Sequence, residues 1–487
     1  MRCVVFGATG YLGARLVPEL LSAGHEVRIM ARTPCKLKDV PWRADVDVVE
    51  GDVTDSEQVR RALDGQQVLY YLVHSMLGSN FVDVDARAAS IVADAAAQAG
   101  LSRIVYVGGI IPEAQQLSEH LASRAEVGRL LNESGVPTVE LRAAVIIGAG
   151  SASFEMLRYL TERLPLMVTP KWLRTRVQPI AVRDVLYYLK NAAELPADVS
   201  RAFDIGGPDT FTYTEMSRRY AVIAGLRKRV AIPVPVLTPR LSSHWVNLIT
   251  PLPRSLASSL MDSLENDVVC GEHDIAAHIP DPEGGLMPYE DAVVLALARV
   301  GDGELKTRWS QPETEDGPSQ PLPTDPDWAG GSLHEQLIER RVDADAETLW
   351  RALESIGAKL AVSAAPPVPH GWIGRLKGVA KIGRTSAQKY LVHAGESPES
   401  WLVEQIERPH MRLRANVPLP GRLWLEMSVH DDGDGGCLYR QRALFQPHGL
   451  PGEAFWIASA PTRKAVFGGI ARDITANARG AATATRA

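Results

Sequence analysis

Seven residues near the start of the chain constrain its fold more than any other feature. Gly7-Ala8-Thr9-Gly10-Tyr11-Leu12-Gly13 follows the apolar run Cys3-Val4-Val5-Phe6 and opens a helical pattern with Leu12, Leu16 and Leu20 on one face. A second strand, Glu26 to Ala31, completes a βαβ unit. A chain that leaves a buried strand, bends at Gly7 and starts a helix exposes N–H groups at Gly10 and aims the positive helix end at a pyrophosphate. A lone glycine triplet would be weak evidence; this strand and this helix supply the context that separates a dinucleotide turn from an ordinary glycine-rich one.

The end of the second strand bears on which dinucleotide. An NAD-binding chain usually places Asp or Glu about 20 residues past the glycines, where the carboxylate holds the ribose hydroxyls. Here the sequence reads Ala31-Arg32-Thr33. A guanidinium grips a 2′-phosphate through charge-assisted bonds, and an acid would repel it. The expectation is therefore NADP(H), with NAD(H) the weaker alternative and a solvated loop arginine the competing reading of Arg32.

The chain has 487 residues, too many for one core, so two or three domains are expected. A net charge of −6 argues against nucleic acid or an anionic membrane as the main partner. Cys3, Cys35, Cys270 and Cys437 lack CxxC spacing, which fits a reduced cytoplasmic setting and no disulfide framework. Met1-Arg2 runs straight into the first strand, and no apolar run reaches about 18 residues, so neither a signal peptide nor a membrane span is expected.

Residues 1–147 alternate strand and helix, the rhythm of a Rossmann-type doubly wound parallel sheet with its ligand at the carboxyl ends of the strands. Residues 148–300 are mixed and read as a substrate lobe. Residues 301–332 hold five prolines and the run Glu313-Thr314-Glu315-Asp316-Gly317, an extended linker that Trp309 and Trp328 would pin to a domain. Residues 333–480 change character to an α+β pattern, and 481–487 form a tail. The helix Asp343 to Ile356 is followed by short strands at Lys389 to Ala394, Trp401 to Glu407 and Met411 to Asn416. Two alternating strands and a closing helix, Thr462 to Ala476, complete a helix-grip arrangement. Such a sheet wrapped on a helix holds either an apolar cavity or a solid core.

Gly7 to Gly13, Gly51-Asp52-Val53-Thr54-Asp55 and Val177-Gln178-Pro179-Ile180-Ala181-Val182-Arg183-Asp184-Val185 resemble the extended and atypical short-chain dehydrogenase/reductase superfamily. Pro420-Gly421-Arg422-Leu423-Trp424-Leu425-Glu426 and Phe445-Gln446-Pro447-His448-Gly449-Leu450 resemble a START-like domain of unknown function often fused to its bacterial members. A more distant similarity is to the 39 kDa-type accessory subunit of respiratory complex I, which carries NADPH without known turnover. The resemblance spans nearly the whole chain and is specific for fold and cofactor, not for reaction.

By position, the resemblance puts Gly7, Thr9, Gly10, Tyr11, Leu12 and Gly13 at the pyrophosphate, Arg32 at the 2′-phosphate, and Asp52 with Val53 at the adenine edge. Leu72, Val73 and His74 would border the nicotinamide-side ribose, and Ile146 and Ile147 would wall the nicotinamide ring. The chain departs from the family at the catalytic positions. Standard members use a serine after the fifth strand and a Tyr-xxx-Lys pair on the next helix. Here the strand ends Val107-Gly108-Gly109 and the helix offers His120-Leu121-Ala122-Ser123-Arg124. A histidine has the pKa of a general acid, so His120 is the candidate substitute for the tyrosine, with Arg124 facing the ribose in place of the lysine and depressing ionisation of the imidazole. The bland alternative is a helix-surface histidine near a cofactor.

Weaker signals are Ser75 and Trp172 as substrate contacts, Ser151 and Ser153 as helix caps, and Cys270 with His273, which lack a second ligand pair for a metal. Two functions follow from the residues. One is an NADPH-dependent oxidoreductase for a small apolar substrate, a quinone or an enone. The other is a non-catalytic NADPH-binding sensor or accessory protein whose C-terminal domain binds a hydrophobic ligand or partner. The oligomeric state is left open.

Overall fold

In a computed structural model the chain divides into two compact units, Met1–Gly331 and Ser332–Ala487. The structure describes all residues except 75–79, 113–116, 165, 170–173, 234–248, 265, 302–321, 327, 331–332, 363–400, 432–435 and 487. Ser75, Trp172, Trp309 and the strand expected at Lys389 to Ala394 lie outside the described residues.

The first unit is built on a parallel sheet of seven strands. In chain order its elements are β1 (Arg2–Phe6), α1 (Tyr11–Ser22), β2 (Glu26–Ala31), β3 (Asp47–Glu50), α2 (Ser56–Leu63) and β4 (Val68–Tyr71). Then come α3 (Phe81–Ala99), β5 (Arg103–Gly109), α4 (Glu119–Asn132) and β6 (Thr138–Ala143). The spatial order from one edge is Arg201–Ile205, β6, β5, β4, β1, β2, β3. The order in which strands are added therefore reverses between β1 and β4, which are parallel, and this switch point opens a crevice at their carboxyl ends.

Helices cover both faces, so the central strands are largely apolar and successive residues feed two different cores. Cys3 and Val5 join Leu16, Ile29, Tyr70 and Val105 on one face. Val4 and Phe6 join Leu69, Tyr71, Ile104 and Tyr106 on the other. The seventh strand, Arg201–Ile205, pairs in parallel with β6, Phe203 opposite Leu141. The sheet thus does not end at residue 147: its last strand arrives after the chain has left to build the lobe.

That lobe has its own core around Phe154, Tyr159, Tyr220 and Met261. Trp328 packs against it, and its carbonyl accepts from the Tyr159 hydroxyl at 2.9 Å. Asp325 takes both terminal nitrogens of Arg15, at 2.8 and 2.7 Å. Residues 322–326 and 328–330 are therefore fastened to the first unit. Ser151 occupies the N-cap position of Ala152–Arg163, but its side chain makes no capping bond; Glu155 accepts from the Gly150 N–H instead.

The second unit is a five-stranded antiparallel sheet in the order His334–Val342, Cys437–Pro447, Gly421–Asp431, His410–Ala415, Trp401–Glu407. Leu349, Trp350 and Leu353 of helix Ala346–Val362, and Phe467, Ile470 and Ile474 of helix Ala460–Arg486, bury their apolar stripes with the inner face of this sheet. Two elements are additional to the sequence expectation: the strand His334–Val342 and the short helix Gly449–Ala458.

Candidate functional site

The crevice between β1 and β4 is shaped by glycines. Gly7 has φ +92°, and a Cβ there would lie 2.6 Å from the Leu72 carbonyl oxygen, so only glycine allows the turn to pack on the end of β4. A Cβ on Gly13 would lie 2.3 Å from the Gly7 oxygen. Gly10 differs: its Cβ would meet only the Gly7 oxygen, at 3.2 Å, and otherwise point into open space. Gly10 is also the N-cap residue of α1, with no side chain capping the helix. The first-turn N–H groups of Tyr11, Leu12 and Gly13 are thus left to an anion. Thr9 is half-buried beside them.

At the end of β2, Arg32 is exposed and makes no hydrogen bond among the described residues. Its charge reaches Asp52. Burial works to raise the Asp52 carboxyl, but bonds from the Thr54 N–H and hydroxyl, at 2.9 and 2.7 Å, together with Arg32 hold it below the usual carboxylate range. Val53 packs partly buried beside β4. Ile146 is half-buried, whereas Ile147 is 1% exposed within the core of the lobe.

Beyond Leu72 and Val73 the structure brings together a cluster that the sequence does not announce. Asp85 of α3 accepts from Arg124 Nη2 at 2.6 Å and lies 3.2 Å from His74 Nδ1. His74 Nε2 is 3.1 Å from His120 Nε2, and His120 Nδ1 is 3.1 Å from the Ser263 hydroxyl. Burial first, then the charge of Arg124, push His74 down to about 4 against the pull of Asp85. Burial, His74 and Arg124 push His120 down to about 3. Both rings are neutral at physiological pH, and each ring nitrogen has a side-chain partner.

Arg124 corrects one expectation. Its side chain is 7% exposed and committed to Asp85, because a guanidinium packed between α3 and α4 requires a carboxylate partner. It does not stand open toward a ribose. A Cβ on Gly108 would lie 2.6 Å from a Glu140 carboxylate oxygen and one on Gly109 3.2 Å from Leu121, so a side chain at either position requires its neighbour to shift. Asp85 and Ser263 were not legible as site residues. For Asp85 a signal existed, since it shares a helical face with Ala88, Ala89 and Val92, and a charge on a buried face demands a partner.

No group of three or more metal-ligating side chains occurs among the described residues. The Cys270 thiol is pushed up to about 12, chiefly by burial. No helix of the described residues is long and apolar enough to cross a membrane.

A family model described as NAD(P)H-binding matches residues 7–144, from the turn that follows β1 through β6. The first unit thus carries an NAD(P)-binding Rossmann domain. A second model, of a protein family of unknown function (DUF2867), matches residues 328–470. The chain is 26% identical over 252 residues to mouse mitochondrial NADH dehydrogenase (ubiquinone) 1 alpha subcomplex subunit 9, covering 50% of this chain and 65% of that protein. It is 24% identical over 242 residues to the mitochondrial NADH-ubiquinone oxidoreductase 40 kDa subunit of Neurospora crassa, covering 48% and 64%. The chain thus spans less than two thirds of the length of these curated relatives. Triphenylmethane reductase from Citrobacter sp., solved with NADP(H), superposes with TM-score 0.47 and 20% identity, over 61% of this chain and all of that one.

Proposed function

We propose that the chain is an atypical short-chain dehydrogenase-like reductase that uses NADPH to pass hydride to an apolar acceptor of the quinone or enone type. The observation that carries the reading is Arg32, an exposed cation that makes no hydrogen bond among the described residues and feels the charge of Asp52, together with an uncapped N-terminus on α1. Gly7, Gly10 and Gly13 with the first turn of α1 take the pyrophosphate, Arg32 the 2′-phosphate, Asp52 and Val53 the adenine edge, and Leu72, Val73, Ile146 and Ile147 the nicotinamide side. The bound nucleotide supplies the hydride. His120 supplies the proton, and the acceptor is one whose reduction needs no Tyr–Lys pair.

Arg32 gives the test. Its bonds to a phosphate should contribute roughly 1.5–3 kcal/mol, ten- to hundredfold in affinity. Arg32→Ala should weaken NADPH by that factor and leave NADH nearly unchanged, and added salt should narrow the gap. Equal losses for both nucleotides would make Arg32 structural. NADPH oxidation with a panel of quinones, enones and aldehydes then tests the reaction.

A second reading, a protein that holds NADPH without turnover, is favoured by one observation: every ring nitrogen of His74 and His120 is already engaged. For the second unit we propose a START-like helix-grip domain that takes an apolar ligand. Its support is a solvent-open groove of about 500 Å³ between Pro418-Leu419-Pro420 and helix Gly449–Ala458, lined by Phe455 and Ala458, a size suited to a small molecule.

A further inference from the structure

The side chains beyond β4 allow one assignment of their protons. A carboxylate oxygen that already accepts from a guanidinium has no hydrogen to give, so His74 carries its own on Nδ1, toward Asp85. His74 Nε2 is then an acceptor, and His120 Nε2 donates to it. A neutral His120 is left with a bare Nδ1 facing the Ser263 hydroxyl. That hydroxyl has a second partner, the Ser259 carbonyl, at 3.0 Å. One hydrogen cannot serve both. Ser263 either donates to His120 Nδ1, or turns its hydrogen to Ser259 and offers a lone pair to His120. Only a His120 protonated on Nδ1 suits the second orientation.

We infer that Asp85, His74, His120 and Ser263 form a proton relay whose port among the described residues is His120 Nδ1, with the Ser263 hydroxyl as the rotor at that port and Asp85 as the positioning residue at the other end. The inference rests on the reading of His120 as the general acid. Among the described residues the charged and titratable groups facing the two rings are Asp85 from α3 and Arg124 from α4, besides the rings themselves. Ser118, the N-cap of α4, lies 3.4 Å from the Ser263 oxygen and continues the hydroxyl chain.

In the loading step a solvent proton binds His120 Nδ1, the new N–H donates to Ser263 Oγ, and the serine hydrogen swings to the Ser259 carbonyl. No carbon bond changes and no electron moves. In the delivery step the oxygen of an acceptor that has taken hydride from NADPH displaces Ser263, takes the Nδ1 proton and leaves as the neutral hydroxyl, and the ring returns to its starting state. The hydrogen between the two Nε2 atoms can pass from ring to ring. Among the described residues the way past His74 leads to a carboxylate that Arg124 also holds.

The test reads ring nitrogens directly, by ¹⁵N NMR on the full chain with its histidines labelled. At neutral pH His74 should appear as the Nδ1–H tautomer and His120 as the Nε2–H tautomer. In Ser263→Ala both tautomers should persist, while the His120 titration midpoint falls by about one pH unit, a tenfold loss of proton affinity, because the charge-assisted bond lost by the charged ring is stronger than the bond lost by the neutral one. Ser263→Thr, which keeps a hydroxyl, should restore the midpoint. If a reducible quinone is found, Ser263→Ala should lower kcat about tenfold or more with KM little changed. The same tautomer on both rings, or an unmoved His120 midpoint in Ser263→Ala, overturns the relay, as would labelling of Ser263 by a serine-reactive fluorophosphonate, which would make it a nucleophile. These spectra need no turnover, so the relay stands or falls separately from the reductase reading.

Discussion

The nucleotide crevice and the histidine cluster lie at the ends of neighbouring strands and are built on opposite principles. The crevice is made of backbone and of missing side chains: Gly7 and Gly13 close it up, Gly10 holds it open, and Arg32 makes no hydrogen bond among the described residues. The cluster is made of side chains from four places in the chain, and Asp85 ties Arg124 and His74 while His120 ties His74 to Ser263. An open site waits for a ligand to complete its bonds. A closed one must give up a bond before it acts, so the cluster stabilises the fold in a way that the crevice does not.

The strongest way to break that contrast is to remove the carboxylate. Asp85→Ala leaves a guanidinium buried between α3 and α4 without its acceptor, and losing one partner of a buried pair costs about 3–5 kcal/mol. Urea unfolding followed by fluorescence would read it. A loss below about 1 kcal/mol would mean that Arg124 finds water, and that the cluster is not closed. On the crevice side, Gly13→Ala forces a Cβ into the Gly7 carbonyl, an overpacking cost of about 1–3 kcal/mol, with nucleotide binding lost in the same variant. An unshifted melt with intact binding would show that the turn gives way.

Between about pH 7 and pH 5 acid should act on the cluster and not on the crevice, where Asp52 is held below the usual carboxylate range and titrates later. Both imidazoles are held below their ordinary value, so between their folded and unfolded midpoints the unfolded chain binds protons that the folded one refuses. Stability from this source is full above about 6.5, the unperturbed value, falls as pH drops, and levels off near 4 for His74. From about pH 7 to about pH 5 the first proton should remove about 2 kcal/mol. A His120→Gln variant should lose less over the same interval. Equal slopes for the two proteins would mean that other groups carry the acid sensitivity.

The crevice was legible because its determinants are local. Strand, turn, helix and Arg32 fall within one βαβ unit, where periodicity and glycine spacing carry the signal. The second unit's main helices were readable for the same reason, through the stripes Leu349-Trp350-Leu353 and Phe467-Ile470-Ile474. What escaped depends on distant partners. The strand Arg201–Ile205 is recognisable only once β6 offers an edge, and His334–Val342 carries charged Glu335, Glu339 and Arg341 with inner residues left half-exposed, which blurs its alternation. Asp85 and Ser263 are separated by most of the unit, and nothing near either one in sequence names the other.

The smallest expected effect on the fold is also the most selective on function. Gly10 has φ −90° and ψ 174°, a conformation that alanine adopts, and its Cβ would press only on the Gly7 oxygen at 3.2 Å. Gly10→Ala should therefore cost less than about 1 kcal/mol in an unfolding titration. The added methyl nonetheless points into the open crevice, where backbone N–H groups must approach a diphosphate closely. Affinity should fall about tenfold, and equally for NADPH and NADH, because both carry the diphosphate. That equality separates Gly10 from Arg32, whose loss should fall on NADPH alone. A Gly10→Ala protein that melts like wild type and binds both nucleotides undiminished would move the pyrophosphate away from the start of α1, and with it the argument that the open region of this domain is the one that binds.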